Sequence, residues 1–283
     1  MINNIQFILV AVQAIGTMLA VGLELSPAAL RQTLSNRRAL TLGLVLNLVI
    51  LPLITTLLLM VVPIPKAVAA GLLFAAASAG SSSAVLLTRN VQGDTSYAVA
   101  MLSVLSLLSL ITLPPLLGTV SGMLELMPLS AWTVAVQVLL GMLYYTIGPL
   151  AIGMVLRAQM PGLAVHWAKP LALVANLCLL TLIVGLIITQ GRDLFHLSAA
   201  SLAMMLLVVT ISFALARIIA KPSTALGRAA LYSFGIRNLS LALIIAAQLH
   251  LPALTTLSIL SYGMLMYLSG GALLLALRRH QLA

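Results

Sequence analysis

The sequence predicts an all-α polytopic membrane protein of about nine transmembrane helices, and three observations carry that reading. Of the 283 residues, 62% are hydrophobic and only 6% charged, and the mean hydropathy is +1.21, too apolar for a surface facing water. The apolar residues fall into runs of roughly 20 or more, the length that a helix rising 1.5 Å per residue needs to cross the hydrocarbon of a bilayer. Nearly all charged residues collect in the short connections between those runs.

The runs place helices near Ile5–Leu23, Ala39–Val62, Ala67–Val91, Thr95–Leu117, Ala131–Leu156, Trp167–Gln190, Leu197–Ala220, Ala225–Leu249 and Leu254–Leu277. The opening stretch "MINNIQFILVAVQ" has neither the basic leader nor the small-residue cleavage site of a signal peptide, so the first run is expected to stay as a membrane helix. One membrane domain over residues 1–283 is expected.

The net charge of +10 would point to nucleic acid in a soluble protein. Here the position of each charge matters more. With the N-terminus outside, the inner connections carry Arg31, Arg37, Arg38, Arg89, Arg157, Lys169, Arg217, Lys221, Arg228, Arg278 and Arg279, against Lys66 and Arg192 outside. Cationic loops favour the cytoplasmic side, so the reading is a multi-pass cell (inner) membrane protein, N-terminus out and C-terminus in. That topology accounts for the charge, and no nucleic-acid partner is expected.

Glu24, Asp94, Glu125 and Asp193, and likewise His166, His196, His250 and His280, fall at helix ends or in connections. No carboxylate pair, His–Cys arrangement or metal-ligand cluster lies within a run, so neither enzyme chemistry nor a cofactor is expected. Cys178, Tyr144 and Tyr145 read as packing or interface residues. The 13 methionines read as core filler, with Met264 and Met266 placed to line a cavity.

Two runs are interrupted at mid-membrane. The third contains "AAASAGSSSAVLL", Ala75 to Leu87, where a helix is expected to end near Gly80 and a new one to begin at Ser81, Ser82 or Ser83, because serine caps helix N-termini. The eighth contains "YSFGIRNLSLA", Tyr232 to Ala242, broken by Gly235, Arg237 and Asn238. The two lie five apart in order and so cross in opposite directions, as an inverted repeat requires. Paired broken helices in matching halves mark the binding site of many transporters, and the N–H groups and positive dipole at each restart favour an anion. Gly and Ser alone would also suit close helix packing. The arginine tips the balance, since a central membrane arginine costs roughly 2.5–3.5 kcal/mol by insertion scales and must face a cavity or a partner.

These stretches, together with "VGLELSPAALRQTLSNRRALTLGLVLNLVILPL" and "GIRNLSLALIIAAQLH", resemble the bile acid:sodium symporter family, within the wider group of bile, arsenite and auxin-type carriers. In many members one further helix precedes the first; nine spans are expected here. The resemblance implies two crossing broken helices in a core domain, about residues 39–118 and 197–250, and a panel domain, about 1–24 and 131–190, that rocks against it. The affiliation of the last helix, 254–277, stays open.

The departures from the family pattern bear on the coupling ion. Where sodium-coupled members carry Pro-Gly-Gly-x-x-Ser-Asn, this chain has Ala79, Gly80, Ser81, Ser82, Ser83, Ala84, Val85. Two hydroxyl ligands on the next helix align with Ala98 and Leu102. The family's Glu-x-x-x-Gln-Asn becomes Ser233, Phe234, Gly235, Ile236, Arg237, Asn238, so the acidic ligand is a serine and the glutamine an arginine. Sodium seeks oxygen donors and an offsetting carboxylate, so both of its sites are expected to be lost, with Asn47, Ser103 and Ser106 left to solvate another species.

Ser82 and Asn238 align with family positions that contact small organic acids. The expected function is secondary transport of a small organic anion by alternating access without sodium, with Arg237, Asn238, Ser81, Ser82, Ser83, Asn47 and Ser233 forming the substrate region. Sodium-coupled transport through relocated ligands, and a non-transporting sensor on the same fold, are the alternatives. For Arg237 itself two roles compete: a bidentate ligand for a carboxylate, or a built-in cation that replaces sodium and donates to backbone carbonyls.

Overall fold

The computed structural model describes residues 4–25, 31, 36–194 and 197–282, with the side chains at 4, 183, 186–187, 189–194 and 278–282 outside the description. Arg192, Asp193, Arg278, Arg279 and His280, which entered the charge count, therefore have no described side chains, and His196 lies outside altogether.

The described residues form helices throughout, with no strand. In chain order these are α1 (Asn4–Glu24), α2 (Arg37–Val61), α3 (Lys66–Ala77), α4 (Ser82–Asn90), α5 (Thr95–Met123), α6 (Ala131–Gln159), α7 (Pro161–Leu194), α8 (Ala199–Ala220), α9 (Ala225–Gly235), α10 (Leu239–Gln248) and α11 (Ala253–Leu282). Eight spans are long and apolar enough to cross a membrane, α9 and α10 counting together as one. The pair α3 and α4, bent by 60° at its break, makes a ninth. This is the expected polytopic all-α protein.

Local sequence sets most of the boundaries. Asn36, Asp94, Ser130, Ser198 and Thr224 each accept a hydrogen bond from an N–H in the first turn of the helix they precede, which is why polar residues at the edges of apolar runs start helices. Inside α2 and α6, single wide turns occupy Leu46–Ile50 and Leu143–Ile147, where the N–H groups of Leu51 and Gly148 reach back five residues. A proline follows in each case, Pro52 and Pro149. A proline ring removes one donor and crowds the carbonyl four residues earlier, and widening the turn accommodates both.

Packing divides the helices unequally. α1 lies along α6 and α7, which also touch each other. Gly22 of α1 and Gly153 of α6 are pressed so close that a methyl group on either would strike the other helix's backbone, the small-residue contact that membrane helices use to approach. The span α9–α10 is the most enclosed, with 94% of its central window buried. It packs against α1, α3, α4, α5, α6, α8 and α11.

Charged groups segregate to two ends. Lys66 at the start of α3 pairs with Glu125 after α5 at 3.2 Å. At the opposite end Glu24 pairs with Arg89 at 3.5 Å, Arg157 reaches the carbonyl of Leu23, and Arg228 reaches that of Gln92.

Candidate functional site

Both interruptions form where the sequence placed them. α3 ends at Ala77, three residues earlier than expected, and α4 restarts at Ser82 with Ser81 as its cap, the Ser81 Oγ accepting from the Ser83 N–H at 3.3 Å. α9 ends at Gly235 and α10 restarts at Leu239, capped by Asn238, whose Oδ1 accepts from the Leu241 N–H at 3.1 Å. Gly80 has φ +78°, a conformation that costs other residues, and a Cβ there would also crowd the Ser106 hydroxyl at 3.1 Å.

The two breaks are clasped together. The Asn238 N–H donates to the Ser78 carbonyl at 2.8 Å and its Nδ2 donates to the Gly80 carbonyl at 3.1 Å. Unwound backbone at this depth exposes carbonyls that lipid cannot satisfy, and one asparagine serves two of them while capping its own helix. Asn238, expected to contact substrate, holds the crossover through its backbone N–H, its Nδ2 and its Oδ1.

Arg237 is completely buried. It points inward: Nη1 donates to Asn47 Oδ1 at 2.6 Å, and Nη2 donates to the Phe234 carbonyl at 2.6 Å and to Ser212 Oγ at 3.3 Å. The Arg237 backbone N–H donates to the Met266 sulfur at 3.1 Å. The Tyr262 hydroxyl lies beside the guanidinium but makes no hydrogen bond of normal geometry, and Nε is also without a partner. No carboxylate neutralises the charge among the described residues.

Asn47 is oriented for this contact by its own helix. Its Nδ2 donates to the Gly43 carbonyl at 2.8 Å, which turns Oδ1 toward the arginine, and it sits in the wide turn of α2. The partners of Arg237 come from α2, α8 and α9, so the guanidinium ties three helices to the break.

The remaining site residues separate. Ser83 Oγ hydrogen-bonds the Tyr267 hydroxyl of α11 at 2.9 Å. Ser233 is buried and its hydroxyl has no partner among the described residues. Ser103 donates back to the Val99 carbonyl within α5, and Ser106 Oγ is unpartnered. Ser82 lines a cleft, a space of ≈ 60 Å³ between α4, α1 and α7 bounded by Thr17, Glu24, Val85, Arg89 and Asn176. A neighbouring cavity of ≈ 250 Å³ shares Glu24 and is lined by Thr95, Ser96, Arg157 and Lys169.

Several of these partners were missed in the sequence. Ser212 and Tyr267 carry no local signal, since their contacts join residues 25 and 184 positions apart; the Phe234 carbonyl, three residues before Arg237, is a backbone acceptor of the kind named for that arginine. Met266, named as a cavity residue, is buried against Arg237, whereas Met264 is 42% exposed on the outer surface. Tyr145 packs edge-on against Phe7, and Tyr144 is exposed.

Comparison with known proteins adds to this geometry. The chain is 27% identical over 193 residues to the P3 protein of Bos taurus, a match covering 67% of this chain and 39% of that protein. The sequence model of the Sodium Bile acid symporter family matches residues 12–195. A multi-pass helical protein whose broken third span meets a second break about a buried arginine, and whose sequence fits that model over most of its length, belongs to the sodium bile acid symporter family.

Proposed function

We propose that this protein is a secondary carrier that moves a small organic anion across the cell (inner) membrane by alternating access, without coupling to sodium. The observation behind this reading is the buried, unneutralised guanidinium of Arg237, held by Asn47, Ser212 and the Phe234 carbonyl. In a low-dielectric interior a fixed positive charge attracts an anion and repels a second cation. By resemblance, this is where sodium-coupled relatives hold their mobile cation, and Ser233, Ala84 and Val85 stand here in place of its oxygen ligands.

Arg237 acts as the resident cation of the crossover and lends its field to the guest. The guest itself is taken at Ser82 and the first-turn N–H groups of α4, flanked by Ser81 and Ser83, where a helix start favours a carboxylate. The cleft at Ser82 has a volume of ≈ 60 Å³, room for only a few waters at roughly 10–15 Å³ of such space each. Loading therefore requires α1 and α7 to withdraw from α4. Those two helices with α6 form the panel, and the rest of the bundle forms the core, α11 included because it packs on α3 and α8.

Uptake of a panel of small mono- and dicarboxylates into proteoliposomes, with sodium or choline outside, tests the reading. Equal uptake of at least one acid in both salts is expected. Accumulation only in sodium overturns the coupling claim, and no uptake of any acid in either salt overturns the carrier reading.

A further inference from the structure

A third cavity lies where the first turns of α2, the end of α8 and α9 meet. It has a volume of ≈ 250 Å³, and its lining is of two kinds. Arg38 and Lys221 supply two cations, with the capping residues Asn36 and Thr224 beside them. Leu42, Ile219 and Phe234 contribute to an apolar floor.

No carboxylate lines the space among the described residues. Asp94 is the acid nearest along the chain contacts, since its N–H donates to the Ala225 carbonyl; its own carboxylate is engaged by the Tyr97 N–H at 2.9 Å. Two other cations at this end are engaged elsewhere, Arg89 on Glu24 and Arg228 on the carbonyls of Pro222, Ser223 and Gln92. Arg38 and Lys221 therefore face a shared cavity with two like charges and no counter-charge in its wall.

The turn that presents Lys221 is built at a cost. Lys221 closes α8 in the left-handed conformation, φ +35°, which a non-glycine residue adopts only when its surroundings demand it. Its carbonyl accepts the Thr224 N–H at 3.3 Å, and Gly227 is packed so tightly on the carbonyls of Ala220 and Lys221 that no side chain fits there. The lysine is thus anchored at the mouth of the cavity instead of trailing from a loose loop. Leu42 of the lining is 36% exposed, and Ile218, next to the lining residue Ile219, is 77% exposed, so both helices offer apolar side chains to acyl chains beside the cavity.

We propose that this cavity binds the headgroup of an anionic phospholipid, the phosphate between Arg38 and Lys221 and the upper acyl chains along Leu42 and Ile218. Basic pockets between helices at the anionic face of a membrane recognise such headgroups. The volume lies just under the roughly 300 Å³ at which pockets for drug-sized ligands begin, so it seats a headgroup and leaves the tails in the bilayer. The site is independent of the transport reading: it stands or falls on binding alone.

The test is native mass spectrometry and thermal unfolding of the detergent-purified chain with phosphatidylglycerol, phosphatidylcholine or inorganic phosphate. The wild type is expected to retain and be stabilised by phosphatidylglycerol only. The double variant Arg38→Gln/Lys221→Gln should bind it about tenfold more weakly or worse, whereas the charge-preserving Arg38→Lys/Lys221→Arg and the opposite-end control Lys66→Gln should bind as the wild type does. Equal retention by the double variant, equal stabilisation by phosphatidylcholine, or a response to inorganic phosphate as strong as to the lipid would each overturn the proposal.

Discussion

Arg237 resolves its own burial by contacts drawn from three helices, and its replacement separates charge from hydrogen bonding. Arg237→Leu leaves the Asn47 Oδ1 buried without a donor and the Phe234 carbonyl with the Ser212 hydroxyl as its remaining donor, at about 1–3 kcal/mol for the unsatisfied group; a melting temperature in detergent lowered by several degrees is expected. Arg237→Gln retains an amide donor and should remain folded, yet lose anion uptake because the positive field is gone. A Gln variant that transports as well as the wild type would remove the arginine from the mechanism. Gly80 presents a second residue-scale case. Its φ of +78° and the nearness of the Ser106 hydroxyl make Gly80→Ala destabilising by about 1 kcal/mol or more, measurable by the same thermal scan. Arg237 was legible in the sequence because a lone cation in an apolar run has to be explained. Its partner Asn47 was named as a solvating group and as part of the substrate region but not as the arginine's acceptor, since nothing local joins residues 190 positions apart.

Helices and their breaks were easier to read than the contacts between them. Serines 81–83 and Asn238 are cap-forming residues set inside apolar runs, so both restarts stood out. The wide turns of α2 and α6 escaped notice, although Pro52 and Pro149 mark them, because a proline in a membrane helix is compatible with several distortions. The pairing of α1 with α6 and α7 rests on glycine contacts that composition alone does not orient. One consequence belongs to these elements. The Glu24–Arg89 ion pair joins α1 to α4 beside the cleft that holds Ser82. It is partly exposed and contributes less than about 1 kcal/mol to stability, but it lies across the line along which α1 must withdraw. Glu24→Gln should leave the melting temperature nearly unchanged and speed modification of an introduced Ser82→Cys thiol, in a Cys178→Ala background, by a membrane-permeant reagent. An unchanged labelling rate would show that the pair is not a latch.

For the whole molecule, the contacts place Lys66 and Glu125 at one end and the Glu24, Arg89, Arg157 and Arg228 groups at the other. If the basic end faces the cytoplasm as the cationic-loop rule requires, a Lys66→Cys variant in intact cells reacts with an impermeant thiol reagent and a Lys221→Cys variant does not; the reverse pattern inverts the topology. The larger claim is that a permanent guanidinium has taken the place of a mobile alkali cation at the centre of this family fold. A ligand that binds only the folded state raises its stability in proportion to the logarithm of its concentration. The direct measurement is therefore the melting temperature of the purified protein across a sodium series, against choline and potassium at matched ionic strength. The account predicts superimposable curves for the three cations; a rise specific to sodium, growing with its concentration, would contradict it.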